Sequence, residues 1–141
     1  MHRNYSAKAQ IIIRLIPGIV FLLEGIQKFL YPHELGVGRF IAIGISHADF
    51  WASFVGIVEI LFGSLLIIGV YTRLATIPLL FDMAVAFVYT KWPILVNKGF
   101  FPMFHEYRVD FAMTGLLIYL LIYGGRIGPS DKVHQFSNEP E

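Results

Sequence analysis

Four apolar stretches, each holding a carboxylate, constrain this chain more than anything else in it: Glu24, Glu59, Asp82 and Asp110 sit inside or at the edge of runs that otherwise read as membrane spans. A carboxylate in hydrocarbon costs a few kcal/mol even after the bilayer adjusts around it. Four of them in 141 residues imply a membrane bundle with a polar interior, and such an interior is a functional-site hypothesis by default. The rest of the chain demands lipid as its solvent. With 56% hydrophobic residues, a soluble domain of this length would lack the polar surface to cover its core. The formal net charge of +1 gives no electrostatic case for nucleic acid as a partner. The chain has no cysteine, which excludes disulfides, thiol relays, iron–sulfur clusters and cysteine-ligated zinc.

The expected fold class is an all-α membrane protein, a four-transmembrane-helix bundle with spans about 11–30, 50–70, 74–90 and 108–125. Together they form one membrane domain over 1–129, followed by a polar C-terminal tail at 130–141. The basic N-terminus could open a signal peptide, but the apolar run continues past Glu24 without a small-residue cleavage pattern and reads as a retained span. Turn chemistry separates the spans at Tyr31-Pro32-His33, at Gly69 to Arg73, at Lys91-Trp92-Pro93 and at Gly124 to Pro129. The very short second turn makes the helices on either side antiparallel neighbours. Between the first two spans, Gly36 to Gly44 is too short to cross and too apolar to be a free loop, so a short interfacial or re-entrant helix is expected there. Pro93 to Tyr107 is rich in Phe and Pro and reads as an aromatic cap at the headgroups. Arg3, Lys8, Arg73, Arg126 and Lys132 on the terminal side outweigh Arg39, Lys91 and Lys98 on the other. That bias places both termini in the cytoplasm, with the bacterial inner (plasma) membrane as the location.

The charged residues divide by position. Arg14, Gly18, Phe21, Gly25 and Lys28 share one face of the first span, and Glu24 precedes Lys28 by the favourable ion-pair spacing of four. Such a pair either neutralises itself and orients the helix, or belongs to a site. Glu59 lies near the membrane middle on a face with Gly56 and Gly63, small residues that let another helix approach. It is either a carboxyl hydrogen-bonded across helices or a proton carrier. Asp82 shares a face with Ala86 and Tyr89 and follows Pro78 by four residues, so it either caps the irregularity that the proline creates or serves function. Arg108 and Asp110 open the last span at the height of Lys28. The expected arrangement is an outer ligand-binding network of Glu24, Lys28, Arg108 and Asp110, with Glu59 and Asp82 as proton-relay groups lacking a local cation. His33, His47 and His105 fall in the outer connections without metal-ligand spacing, and no metal site is expected. No cofactor site is visible either; some of the many aromatic residues could line a pocket for a quinone-like ring.

Arg14 to Phe29, through Arg14-Leu15-Ile16-Pro17-Gly18 and Glu24-Gly25-Ile26-Gln27-Lys28-Phe29, resembles the opening helix of DoxX-family membrane proteins. Val55 to Gly69 followed by Thr72-Arg73 resembles that family's second helix and turn. Gly124-Gly125-Arg126 with Ser130-Asp131 is similar to its Gly-Arg-x-Ser-x-Asp ending, with an insertion here. The resemblance implies a four-helix integral membrane protein and a link to quinone reduction, since the family's relatives include small subunits of thiosulfate:quinone oxidoreductase. The leading expectation is therefore a quinone-associated redox subunit, drawing electrons from other membrane or redox subunits, or acting as a homo-oligomer. Alternatives are a small proton-coupled transporter, or a non-catalytic assembly or structural subunit of a membrane complex.

Overall fold

The computed structural model describes residues 2–124, and over them the chain is mainly helical, with short turns between helices and without a strand. The expected polar tail, Arg126, Lys132 and most of the Gly-Arg-x-Ser-x-Asp ending lie outside the described residues, as does the side chain of Arg3. The helices are α1 (His2–Leu30), α2 (Val37–Ala42), α3 (Ala48–Ile68), α4 (Thr72–Ala86), α5 (Trp92–Lys98) and α6 (Phe100–Tyr123), with a π-helical turn over Phe87–Lys91 between α4 and α5. Three segments are long and apolar enough to cross a membrane: Lys8–Leu30, Ala48–Ile68 and Thr72–Lys98. Their outward faces carry large exposed apolar residues at helical spacing: Ile12, Ile16, Ile19 and Leu23 on α1, Phe54, Ile57 and Leu61 on α3, Leu74, Ile77 and Phe81 on α4. Surfaces of that extent match lipid, not water. This is a membrane protein.

Glycine sets how its first two long helices meet. On α3, Ala52, Gly56, Glu59, Gly63 and Leu66 are all buried, a stripe at spacings of three and four. It faces Gly18 and Gly25 of α1. A Cβ on Gly25 would lie 2.7 Å from the Gly56 carbonyl oxygen, and one on Gly63 would lie 2.8 Å from the Leu22 nitrogen. The two backbones therefore run against each other, antiparallel, as small-residue stripes permit in a bilayer. The α3–α4 turn is closed by Gly69 at φ 86°, with Gly69 and Val70 N–H groups both donating to the Leu65 carbonyl, the left-handed ending that glycine favours. Arg14 of α1 lies against Gly69, where the α3 C-terminus attracts a cation. Arg73 donates to the Ile122 carbonyl at 2.7 Å and does the same for α6.

α4 packs between α3 and α6, and α6 returns to touch α1. Their shared core is Phe21, Leu66, Ala75, Leu79, Met113, Leu117 and Leu120. A second, smaller cluster of Phe40, Ala48 and Ala52 lies beneath α2.

One stretch differs from its sequence reading. The helix does not stop at Lys91-Trp92-Pro93, and the connection from Pro93 to Tyr107 is itself helical: the backbone passes through the π turn into α5 and restarts after Gly99 as α6. Pro93 sits in the first turn of α5, where its missing N–H is tolerated. The carbonyl four residues earlier loses its donor, and the preceding turn widens instead of ending.

Packing of this kind predicts that Gly63→Val, which drives side-chain atoms into the α1 backbone, destabilises the protein by about 1–3 kcal/mol. Gly115→Ala, where an added Cβ meets nothing within 4 Å, should cost nothing measurable. Thermal unfolding of the two variants in detergent distinguishes them; equal losses would contradict the close approach of α1 and α3.

Candidate functional site

The α1–α3 contact brings two charges together in the interior. Lys28 Nζ lies 2.7 Å from Glu59 Oε2, with side chains only 11% and 6% exposed. Lys28 also reaches the Glu24 backbone carbonyl, at 3.5 Å. The cation of α1 is thus paired across 31 positions of sequence, not with the Glu24 carboxyl four residues away. Asp82 of α4 shares a cavity wall with Lys28, Glu59 and Asp110. Asp110 of α6 pairs with Lys91 at 3.4 Å. Neither Glu59 nor Asp82 has a cation nearby in sequence; folding places Lys28 against Glu59 and on the same cavity wall as Asp82.

These groups line one cavity of about 390 Å³, a volume at the lower end of small-molecule sites. Glu24, Lys28, Glu59, Asp82 and Asp110 contribute to its wall, with Glu34, Arg39, Tyr89 and Thr90. The remaining wall is apolar and includes Val20, Phe21, Phe40, Val55, Met83 and Met113. The cavity lies between the two apolar clusters: Phe21 and Met113 belong to the larger, Phe40 to the smaller. Glu59 is its most enclosed acid, at 4% exposed, whereas Glu24, Glu34 and Arg39 are exposed.

Five of the six residues singled out from sequence meet here. Arg108 does not. It lies exposed on α6 and bonds the His105 carbonyl of its own helix, three residues back. Asp110, two residues on, points elsewhere because residues two apart on a helix diverge by about 200°. Nor does Asp82 cap the break at Pro78: α4 runs through that proline unbroken, and the Asp82 side chain faces the cavity. His33, His47 and His105 lie exposed on three separate segments.

Lys91 and Arg39, which count in the sequence only toward the charge of the outer side, and Glu34, which carries no signal there, also come to the site. Lys91 reaches Asp110 because the π turn carries the helix past Pro93; a proline one position after an aromatic residue, followed by an apolar Ile-Leu-Val run, was the available signal for a helix restart. Glu34 and Arg39 enter through the fold of the α1–α3 connection, for which no periodicity exists to read.

Charges buried this way make a sharp stability prediction. Lys28→Met strands the Glu59 carboxyl and should cost about 3–5 kcal/mol, while Lys28→Met combined with Glu59→Leu should recover most of that loss. Thermal unfolding in detergent measures both. A double variant no more stable than the single would show that the pair is not coupled.

Comparison with known proteins agrees with this architecture. The DoxX family model matches residues 9–92, the stretch that supplies α1 through the π turn and so Lys28, Glu59 and Asp82. The chain is 49% identical over 120 residues to the uncharacterized membrane protein Rv3486 of Mycobacterium tuberculosis (strain ATCC 25618 / H37Rv), a match covering 81% of this chain and 74% of that protein. No solved structure matches. On the family match and on this relative, the chain belongs to the DoxX family.

Proposed function

We propose that this protein is a quinone-associated redox subunit of the bacterial inner membrane, whose cavity takes a quinone head group and whose paired carboxyls deliver protons as it is reduced. The observation that carries this reading is the meeting of Lys28, Glu59 and Asp82 at a cavity otherwise walled by Val, Phe and Met side chains. A quinone resides in lipid, presents a flat apolar ring, and offers carbonyl oxygens that need donors. The Lys28 ammonium is such a donor, and its charge stabilises the oxyanion that develops on reduction. Lys28 and Lys91 face Glu59, Asp82 and Asp110. Leaving aside the exposed Glu24, Glu34 and Arg39, two cations against three carboxylates leave one negative charge, and that inner cluster is neutral with one proton bound. That proton, held between Glu59 and Asp82, is within reach of a ligand in the cavity. Reduction to quinol takes two electrons and two protons. The electrons come from a partner subunit bearing a redox group, the first proton from the carboxyl pair, and the second from water entering by the exposed rim. Glu59 and Asp82 act as the proton-transferring acids.

In this reading α6 is the fourth span. Its polar residues, His105, Glu106, Arg108 and Asp110, lower its average hydropathy but gather in its first half, and Asp110 turns inward to the cavity. The short α2 then lies at the outer surface and roofs the cavity with Phe40 and Arg39. Four spans return both termini to one side, the side of Lys8, Arg14 and Arg73, and the cationic bias makes that side cytoplasmic.

Titration of a short-chain ubiquinone analogue into the protein in lipid nanodiscs tests the site. The wild-type chain should bind it, and Lys28→Met with Asp82→Ala, which removes both donors, should weaken binding at least about tenfold. Wild-type protein that binds no quinone, or a double variant of unchanged affinity, would overturn the reading.

A further inference from the structure

Asp110 lines the cavity and Lys91 pairs with it, yet binding and protonating a ligand at Glu59 and Asp82 gives them no task. Their placement supplies one. The acids of the cavity are graded in exposure: the Glu59 side chain is 6% exposed and that of Asp110 29%, and Asp82, half-buried, lines the same wall. The three come from three helices, α3, α4 and α6, and line one continuous cavity. A space of about 390 Å³ with these charged side chains on its wall has room for several waters, each able to bridge such groups.

The two cations differ as well. Lys28 is held tightly on Glu59 at 2.7 Å; Lys91 sits loosely on Asp110 at 3.4 Å. Lys91 ends the π turn, a feature frequent at functional sites. The turn places Tyr89 and Thr90 on the cavity wall and its last residue on Asp110. The other charged groups on the wall are Glu24 and Lys28 of α1 and Glu34 and Arg39 of the α1–α3 connection. Of these, Glu24 is the rival entry point: it is exposed, but its only polar contact among the described residues is through its backbone carbonyl.

We propose that Asp110 is the proton-entry group of this cavity, passing protons from water at its rim to Asp82 and then Glu59, with Lys91 as the positioning residue that returns Asp110 to its ionised, accepting state. A hydronium at the rim gives its proton to the Asp110 carboxylate and becomes water. The Asp110 hydroxyl donates through a cavity water to the Asp82 carboxylate, and Asp110 is left as the carboxylate beside Lys91. The steps move protons only, with no electron donor or acceptor. The proposal rests on the preceding reading in one respect, that Glu59 and Asp82 share an exchangeable proton; it needs no quinone.

Infrared spectroscopy of the protein in lipid films tests it. A protonated carboxyl gives a C=O stretching band that shifts on transfer to deuterium oxide, and loss of the band in Asp82→Asn or Glu59→Gln assigns it. The rate of that shift reads proton access. Asp110→Asn should keep the band and slow its shift at least about tenfold. Asp110→Glu should restore the rate, and Glu24→Gln should leave it unchanged. Lys91→Met should slow the shift while keeping the band. An Asp110→Asn protein that keeps the band and exchanges at the wild-type rate overturns the entry role, as does slowing in Glu24→Gln alone. A wild-type protein without the band overturns the shared proton itself. Failure of quinone to bind leaves the exchange result standing, so the two readings fail separately.

Discussion

A lysine and a glutamate facing each other inside a membrane protein set the terms for everything around them. Neither Lys28 nor Glu59 is tolerable alone at that depth. The pair is tolerable only if the two side chains can meet, and they meet because Gly18, Gly25, Gly56 and Gly63 let the α1 and α3 backbones touch. The glycine stripes and the ion pair are one device. The stripes fix the register of two antiparallel helices, and the register puts Nζ and Oε2 at 2.7 Å. Side chains larger than hydrogen at those positions would push the helices apart and leave both charges unpaired.

The ion pair also explains where the cavity lies. Helices that meet tightly along α1–α3 leave space on the side where α4 and α6 bring in Asp82 and Asp110, and that space is bounded by the four-helix apolar core on one side and the small cluster under α2 on the other. Charge, not volume, gives it a chemical direction. A cavity with more carboxylates than cations binds protons or donors, and among its less exposed acids the surplus resides with Asp82, which makes no ion pair among the described residues while Glu59 and Asp110 each make one. The π turn answers the same surplus from the other end by bringing Lys91 to Asp110.

Much of this was legible in the sequence, residue by residue. The intramembrane acids were visible as anomalies in apolar runs, the glycines as a stripe beside Glu59, and the antiparallel α3–α4 hairpin as a turn too short for anything else. The pairing was not legible. Lys28 has Glu24 at the ideal helical spacing, and local periodicity therefore points to Glu24, whereas the observed partner lies on another helix. Choosing between them requires knowing which faces of α1 and α3 touch. The Arg108 reading failed for a similar reason: proximity in sequence to Asp110 suggested a shared site, but two positions along a helix separate the side chains. Pro93 looked like a terminator because proline so often is one; in a bilayer a broken backbone end is costly, and the helix widens into a π turn and continues.

The central claim is that Lys28 and Glu59 form an ion pair in the bilayer, and a direct distance measurement decides it. Solid-state NMR of the protein in lipid, with lysine labelled at Nζ and glutamate at Cδ, reads the separation through the dipolar coupling, with Lys28→Met and Glu59→Gln assigning the signals. The structure predicts a Lys28–Glu59 nitrogen-to-carboxyl-carbon distance below about 4 Å, as a direct charge-assisted hydrogen bond requires. A separation beyond about 6 Å, too long for such a bond, or a Lys28 coupling that survives Glu59→Gln and vanishes in Glu24→Gln, would contradict it.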